Sequence, residues 1–366
     1  MMQLPTLDKL GDPRGRRVIV RVDWNVPIED ARVTDDERIR ASLQTLEYLR
    51  QVGARIIILS HLAPDEASLE PVHQTAAGLF PHDFCADLEI EKIAARAKAL
   101  SDGEALLLEN LRQHPGEKQN NPSFAGELAA LGDAYVNEAF SASHRSHASI
   151  VGLAERLPSY VGFRFEKEVT NLSKALAPVH PFLFILGGAK FETKLPLLDK
   201  FVGIADALFV GGALAHNFFK FQGIDIKKSL VSAGDFDIAR LLESQRIILP
   251  RDPVWDGERI VDAGEATLED LRARIGESKF ILWNGPLGLY EAGFKEGTQA
   301  LAKIIAESGQ EAIVGGADTL AAIKELGISE KFSFVSTAGG AMLDFLATGT
   351  LPGIEALKRS PGHSAS

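Results

Sequence analysis

The stretch that decides the fold is "FILGGAKFETK", Phe184 to Lys194. An apolar run ends in a glycine pair, and two lysines follow four residues apart, Lys190 and Lys194. A strand, a glycine turn and a lysine at a helix start point to phosphate, because helix N-termini and glycine backbone both offer N–H groups to anions. The stretch is not a P-loop, since no Ser or Thr follows Lys190 directly. It asks for a phosphate site built on two lysines.

The same grammar recurs on either side. Apolar runs occur at "RVIVRV" (17–22), "ARIIILS" (54–60), "ALLLEN" (105–110), "AYVNEAF" (134–140), "FLFILGG" (182–188), "DALFVGG" (206–212), "KFILWN" (279–284) and "EAIVGG" (311–316). Helical patterns separate most of them; residues 36–52 put Ile39, Leu43, Leu46 and Leu49 on one stripe. Alternation of strand and helix predicts mostly parallel sheets covered by helices, with strands buried on both faces. The fold class is α/β: two doubly wound parallel-sheet lobes joined by a connecting helix, with a cleft between them. The expected division is residues 1–160 for the first lobe, completed by 350–366, then a connecting helix at 161–177 and a second lobe at 178–349. "ERLPSYVGF" (155–163) breaks the pattern, and Phe165, Val169, Leu172 and Leu176 form the stripe of the connecting helix. The closing "SPGHSAS" (360–366) reads as an unstructured tail.

Parallel sheets bind ligands at the carboxyl ends of their strands. In the first half those ends carry Asp23, Asn25, His61, Arg112 and the run "EAFSASHRSH" (138–147). In the second half they carry "GGAK", "GGAL", "NGPLG", "GGADT" and "STAGG". The composition agrees. Residues 1–150 hold 12 Arg and 4 Lys, whereas 151–366 hold 9 Arg and 14 Lys, and glycine divides 8 to 25. An arginine-based anion site in the first half and a glycine-lined site in the second are the expectation, with drift in composition as the plain alternative.

The bulk numbers exclude several classes. Of 366 residues, 45% are hydrophobic and 24% charged, as in ordinary globular proteins, and the length suits two domains. A net charge of −11 argues against bulk nucleic-acid binding. No run approaches roughly 18 apolar residues, so no membrane partner is expected. The first residues lack an apolar signal core, and the single cysteine, Cys85, fits a reducing compartment. A cytoplasmic location is therefore expected.

Ten motifs in order, "RVDWNVP", "TDDERIRAS", "SHL", "LLLENLR", "GDAYVNEAF", "SHRSHAS", "ILGGAK", "WNGPLG", "GGADT" and "STAGGA", span nearly the whole chain. The series resembles that of phosphoglycerate kinases. The resemblance implies phosphoryl transfer between 1,3-bisphosphoglycerate and ADP, giving 3-phosphoglycerate and ATP, with Mg2+, by a monomer. The acceptor carboxylate is already ionised, so no general base is needed; the site must neutralise charge on the moving group. By resemblance, Arg38, Arg112 and Arg145 hold the triose, with Asp23, Asn25 and His61 at its hydroxyl and carboxylate. Lys190 and Lys194 hold nucleotide phosphates, and Arg38, Lys190 and Lys194 are the catalytic cations. Gly212, Asn284, Glu291, Gly316, Asp318, Thr319, Gly339 and Gly340 complete the nucleotide site. Glu291 takes the ribose, and Asp318 is the metal ligand.

Taken singly, these residues have plainer readings: Arg38 as a solvated helix residue, Arg112 and Arg145 as surface ion-pair partners, Lys190 and Lys194 as an exposed pair, Asp318 as an N-cap, and His144 and His147 as structural neighbours of Arg145. The chain also departs from the family pattern. The loop after His61-Leu62 reads Ala63-Pro64-Asp65-Glu66, where the family has glycine and an arginine. Ala213, Ala317, Ala338 and Ser141 replace usual glycines, Glu138 replaces an aspartate, and the second lobe is shortened before "FILWNGP". The expectation is a weakened grip on the triose unless Arg40 or Arg164 compensates. A nucleotide-binding regulatory protein with impaired turnover is the alternative function.

Overall fold

The computed structural model describes residues 4–234 and 236–361, so residues 362–366 of the expected tail lie outside the described residues. The chain divides into two compact units. One comprises the residues up to Thr170 together with those from Thr350 onward, and the other runs from Asn171 to Gly349. The division falls inside the helix Phe163–Leu176.

The first unit holds a six-stranded parallel sheet. Its strands are β1 (Arg17–Arg21), β2 (Arg55–Leu59), β3 (Asp83–Cys85), β4 (Ala105–Leu108), β5 (Ala134–Asn137) and β6 (Ser159–Val161), in the order β3-β4-β2-β1-β5-β6. Register pairs Val18 with both Ile56 and Ala134. Val18, Ile19, Val20 and Ile56 to Leu59 are fully buried, as expected of strands covered on both faces. Helix Glu37–Gln51 lays Ile39, Leu46 and Leu49 onto this core, whereas Leu43 is only half-buried. Helix Pro352–Lys358 joins the unit through Ile354, Ala356 and Leu357, and the Gly353 N–H donates to Ser143 O at 2.9 Å. One expectation fails here: "ERLPSYVGF" contains the short edge strand β6. Three residues, paired to β5 on one side, are too few to show a period.

The second unit repeats the plan with β7 (Phe182–Leu186), β8 (Ala207–Val210), β9 (Ile247–Ile248), β10 (Phe280–Asn284), β11 (Glu311–Gly315) and β12 (Phe334–Ser336). Their order is β9-β8-β7-β10-β11-β12, all parallel. Both sheets reverse their winding at one place: between β1 and β5 in the first unit, and between β7 and β10 in the second. A crevice opens beyond the strand ends at such a reversal.

Candidate functional site

In the first unit the chain leaves β1 through Asp23-Trp24-Asn25. Trp24 is fully buried; its backbone N–H donates to Ser60 Oγ at 3.0 Å and its indole Nε1 to Ser42 Oγ at 2.9 Å. The residues on either side of it, Asp23 and Asn25, meet the same arginine. Arg38 Nη1 donates to Asp23 Oδ2 at 3.0 Å and to Asn25 O at 3.1 Å. Arg38 projects from the first turn of helix Glu37–Gln51. Asn25 Oδ1 accepts the Ala63 N–H at 3.0 Å, which ties the loop after β2 to this segment. Ser141 Oγ donates to Asp23 Oδ2 across the reversal, so the serine in a usual glycine position is a working contact. Burial would raise the Asp23 carboxyl, but Arg38, the Ser141 hydroxyl and Arg21 outweigh it and hold the group below its ordinary value.

His61 lies at the end of β2, 3.9 Å from Asp23. Burial first, then the Arg21 guanidinium, keep it well below its ordinary pKa, so the ring is neutral. Arg21 Nη2 donates to His61 Nδ1 at 3.0 Å; an arginine only donates, so the His61 proton sits on Nε2. Arg112 follows β4, and its Nε is buried without a hydrogen-bond partner among the described residues. Arg145 Nε donates to His144 Nε2 at 3.2 Å. The charges of both arginines reach His61 and also His147, which burial and then Arg21, Arg112 and Arg145 push down to about 4. His147 stands 3.7 Å from Glu117 and His144 contacts Arg145, which is the structural role expected of both. Asp23, Asn25 and Arg38 are thus joined by hydrogen bonds, His61 lies beside Asp23, and the charges of Arg112 and Arg145 reach His61.

Two further residues escaped the sequence reading. Arg21 is fully buried, with Nε donating to Ser149 Oγ at 2.8 Å, and Ser149 Oγ donates to Glu117 Oε1 at 2.6 Å. The signal was a charge inside an apolar strand, since a buried guanidinium needs partners. Lys118 pairs with Asp65, and nothing in its spacing announced it. Arg40 and Arg164, considered as substitutes for a loop arginine, are engaged by Asp36 and Glu168.

In the second unit the reversal brings the turn after β7 against the turn after β10. The Gly187 N–H donates to Asn284 O at 2.8 Å, and the Gly188 N–H to Pro286 O at 3.2 Å. A Cβ on Gly187 would lie 2.1 Å from Pro286 O, so the backbones approach too closely for any side chain. Helix Phe191–Phe201 begins just after Lys190 and is anchored by the buried Phe191. Its second turn turns Lys194 inward, where the ammonium donates to Asn284 Oδ1. Burial lowers Lys194 to about 8, so it remains mainly charged at neutral pH.

A cavity of about 720 Å³ is lined by Gly188, Lys190, Lys194, Ala213, Arg259, Leu289, Tyr290, Glu291 and Asp318, among others. A second, of about 260 Å³, is lined by Gly187, Gly188, Lys194, Asn284, Gly316, Asp318, Gly339 and Gly340, among others. Gly188, Lys194, Pro286 and Asp318 border both. Lys190 is exposed and Lys194 buried, so the two lysines are not the equivalent pair their spacing suggested. Two expected residues serve from behind. Thr319 is buried, and its Oγ1 accepts the Gly285 N–H at 3.0 Å. Gly212 packs on Gly188, where a Cβ would meet backbone at 2.9 Å. Arg259, on the hairpin turn after Pro253–Trp255, lines the larger cavity, and no sequence signal pointed to it.

Of the two carboxylates that line these cavities, Glu291 and Asp318, only Asp318 borders both. Burial, and then the charge of Glu291, raise its pKa, so it gains from a cation nearby. Among the described residues no group of three or more His, Cys, Asp or Glu forms a cage. One carboxylate beside an anion pocket suits Mg2+, which keeps waters and takes further oxygens from substrate phosphates.

The comparisons with known proteins identify a family. The family model described as phosphoglycerate kinase matches residues 7–349. A phosphoglycerate kinase of Moorella thermoacetica is 40% identical over 380 residues, covering 93% of this chain and 96% of its own length. One of Herpetosiphon aurantiacus is 41% identical, covering 94% and 96%. The solved phosphoglycerate kinase of Coxiella burnetii superposes with a TM-score of 0.86 at 34% identity, covering 98% of this chain and 99% of that one. With two arginine- and glycine-built sites on two parallel sheets, and a family match running along nearly its whole length, this chain belongs to the phosphoglycerate kinase family.

Proposed function

We propose that the chain transfers a phosphoryl group between the acyl phosphate of 1,3-bisphosphoglycerate and ADP, giving 3-phosphoglycerate and ATP. In the direction of ATP use, an oxygen of the 3-phosphoglycerate carboxylate bonds to the γ-phosphorus and the bond to the ADP oxygen breaks. No proton moves, so the protein supplies position and charge. Arg112 and Arg145 hold the triose phosphate end. Asp23, Asn25 and neutral His61, with its Nε2–H, read the hydroxyl and carboxylate. Arg38, fixed by Asp23, presents its remaining N–H groups to the transferred phosphoryl group.

In the second unit, Lys190 and the glycine turns take nucleotide phosphates, Glu291 the ribose, and Lys194 the charge that develops during transfer. Gly316, Gly339 and Gly340 give backbone N–H groups to phosphate at two helix starts. Asp318 would hold Mg2+, which when bound offsets phosphate charge. A cytoplasmic monomer completes the reading; buried, unpaired Cys85 suits a reducing compartment.

The observation that carries this reading is Lys194, buried and bordering both cavities beside Asp318. An ammonium stripped of water is worth most against charge that moves. Lys194→Ala is expected to lower kcat by about 10²–10³ while nucleotide KM changes far less. Equal kcat in variant and parent would remove Lys194 from the mechanism.

A further inference from the structure

The loop after β2 places an acid against the triose cluster. Asp65 Oδ1 stands 3.5 Å from Arg112 Nη1, and its other oxygen accepts from the Lys118 ammonium. The backbone of the loop is held by contacts other than those pairs. Asn110 Nδ2 donates to the backbone oxygens of Leu62, Asp65 and Ala67 at 3.1, 2.9 and 2.8 Å, and Gln113 Nε2 donates to Ala67 O at 3.1 Å. The loop is therefore tied down by its backbone, and the carboxylate is presented to the two cations.

The cations there have few other anions to answer them. The Arg112 side chain is only 9% exposed, and among the described residues its Nε lacks a partner. Arg145 contacts a neutral acceptor on His144. Glu117 is fully buried and already accepts from the backbone N–H and hydroxyl of Ser149. Asp65 is half-exposed, so it occupies a place that solvent and small anions also reach.

We propose that Asp65 is an in-chain competitor for the triose phosphate, and that Lys118, released when phosphate displaces Asp65, becomes a phosphate ligand beside Arg112. The inference rests on the reading that Arg112 binds the triose. A phosphate brings more charge and more acceptor oxygens than one carboxylate, so it wins the exchange and loses affinity in doing so. Lysine suits the exchange, because its flexible stem lets a point charge follow either anion. Asp65 and Lys118 together then set triose affinity where a loop arginine is absent.

Calorimetric titration of 3-phosphoglycerate into the intact chain tests this. Asp65→Asn, isosteric and uncharged, is expected to tighten binding about two- to fivefold. Lys118→Gln is expected to weaken it by a similar factor. Glu66→Gln removes one negative charge from the same loop at an exposed neighbour and is expected to leave Kd unchanged. Unchanged or weaker binding by Asp65→Asn would overturn the competitor role and make Asp65 a support for Arg112. Unchanged binding by Lys118→Gln would overturn the ligand role of Lys118. Tightening by Glu66→Gln equal to that by Asp65→Asn would reduce the effect to net charge and overturn the specific contact. If the parent binds but the variants behave in these contrary ways, the proposed function stands and this inference falls. If no chain binds 3-phosphoglycerate, both fall.

Discussion

Burial decides the charge of three histidines in the first unit. His61 lies well below its ordinary value, and His82 and His147 are held down to about 4, in each case with burial as the largest cause. His82 is away from the ligand cluster. Its Nδ1 lies 2.7 Å from Phe80 O, and its Nε2 is 3.1 Å from His73 Nδ1. Between about pH 4 and 6.5 the unfolded chain binds a proton at His82 that the folded chain refuses. Stability therefore falls as pH drops through that window and is regained above it. His82→Gln cannot bind the proton. Its melting temperature is expected to fall less than the parent's between about pH 7 and pH 5. Equal losses would show that His82 plays no part in acid lability.

At this scale the sequence was partly legible. Charged residues just after strands could be named because a parallel sheet must put them in a crevice. Arg21 was missed because it lies inside the apolar run 17–22 rather than after it, and its partners Ser149 and Glu117 are far along the chain. The alanines in usual glycine positions raised the question of whether backbone geometry survives. Ala213 has φ −67°, and neither Ala317 nor Ala338 has positive φ. The left-handed positions Gly188 and Gly316 remain glycine. The substitutions spare the residues whose backbone demands it.

Strands and turns were the most readable elements. Eight buried strands announced themselves as apolar runs bounded by glycine or polar residues. Edge strands such as β3, β6 and β9, two or three residues long, carry no usable period, and tertiary pairing alone creates them. Glycine turns could be located but not ranked, because a glycine that must be glycine looks like one that need not be. Two positions make the contrast measurable. A Cβ at Gly187 would collide with the carbonyl oxygens of Pro286 and Gly285 at 2.1 and 2.7 Å. Gly126, inside helix Pro122–Ala129, has open space. Gly187→Ala is expected to cost about 1–3 kcal/mol in urea unfolding, and Gly126→Ala to add about 0.5–1 kcal/mol. Equal effects at the two sites would contradict the turn geometry.

Across the whole molecule, the chain enters the first unit, builds the second, and returns its last helix to the first. The return was part of the expected division, and no local pattern encodes it. Ile354, Ala356 and Leu357 are buried there, and a Cβ on Gly353 would lie 2.8 Å from the Ser143 side chain. A chain ending at Gly349 is therefore expected to lose stability in its first unit. Its amides between Arg17 and Val161 should exchange faster, while those of β7, β10 and β11 keep their protection. Undiminished protection in the first unit would mean that the final helix adds nothing.

The central claim is that the chain moves a phosphoryl group between 3-phosphoglycerate and MgATP. The measurement that tests it most directly is turnover of the unmodified chain with 3-phosphoglycerate and MgATP, coupled to consumption of the acyl phosphate formed. The account predicts saturable turnover that requires both substrates and falls by about 10²–10³ in Lys194→Ala. Calorimetric binding of MgATP with no turnover at saturating 3-phosphoglycerate would contradict it and leave a nucleotide-binding protein of the same fold.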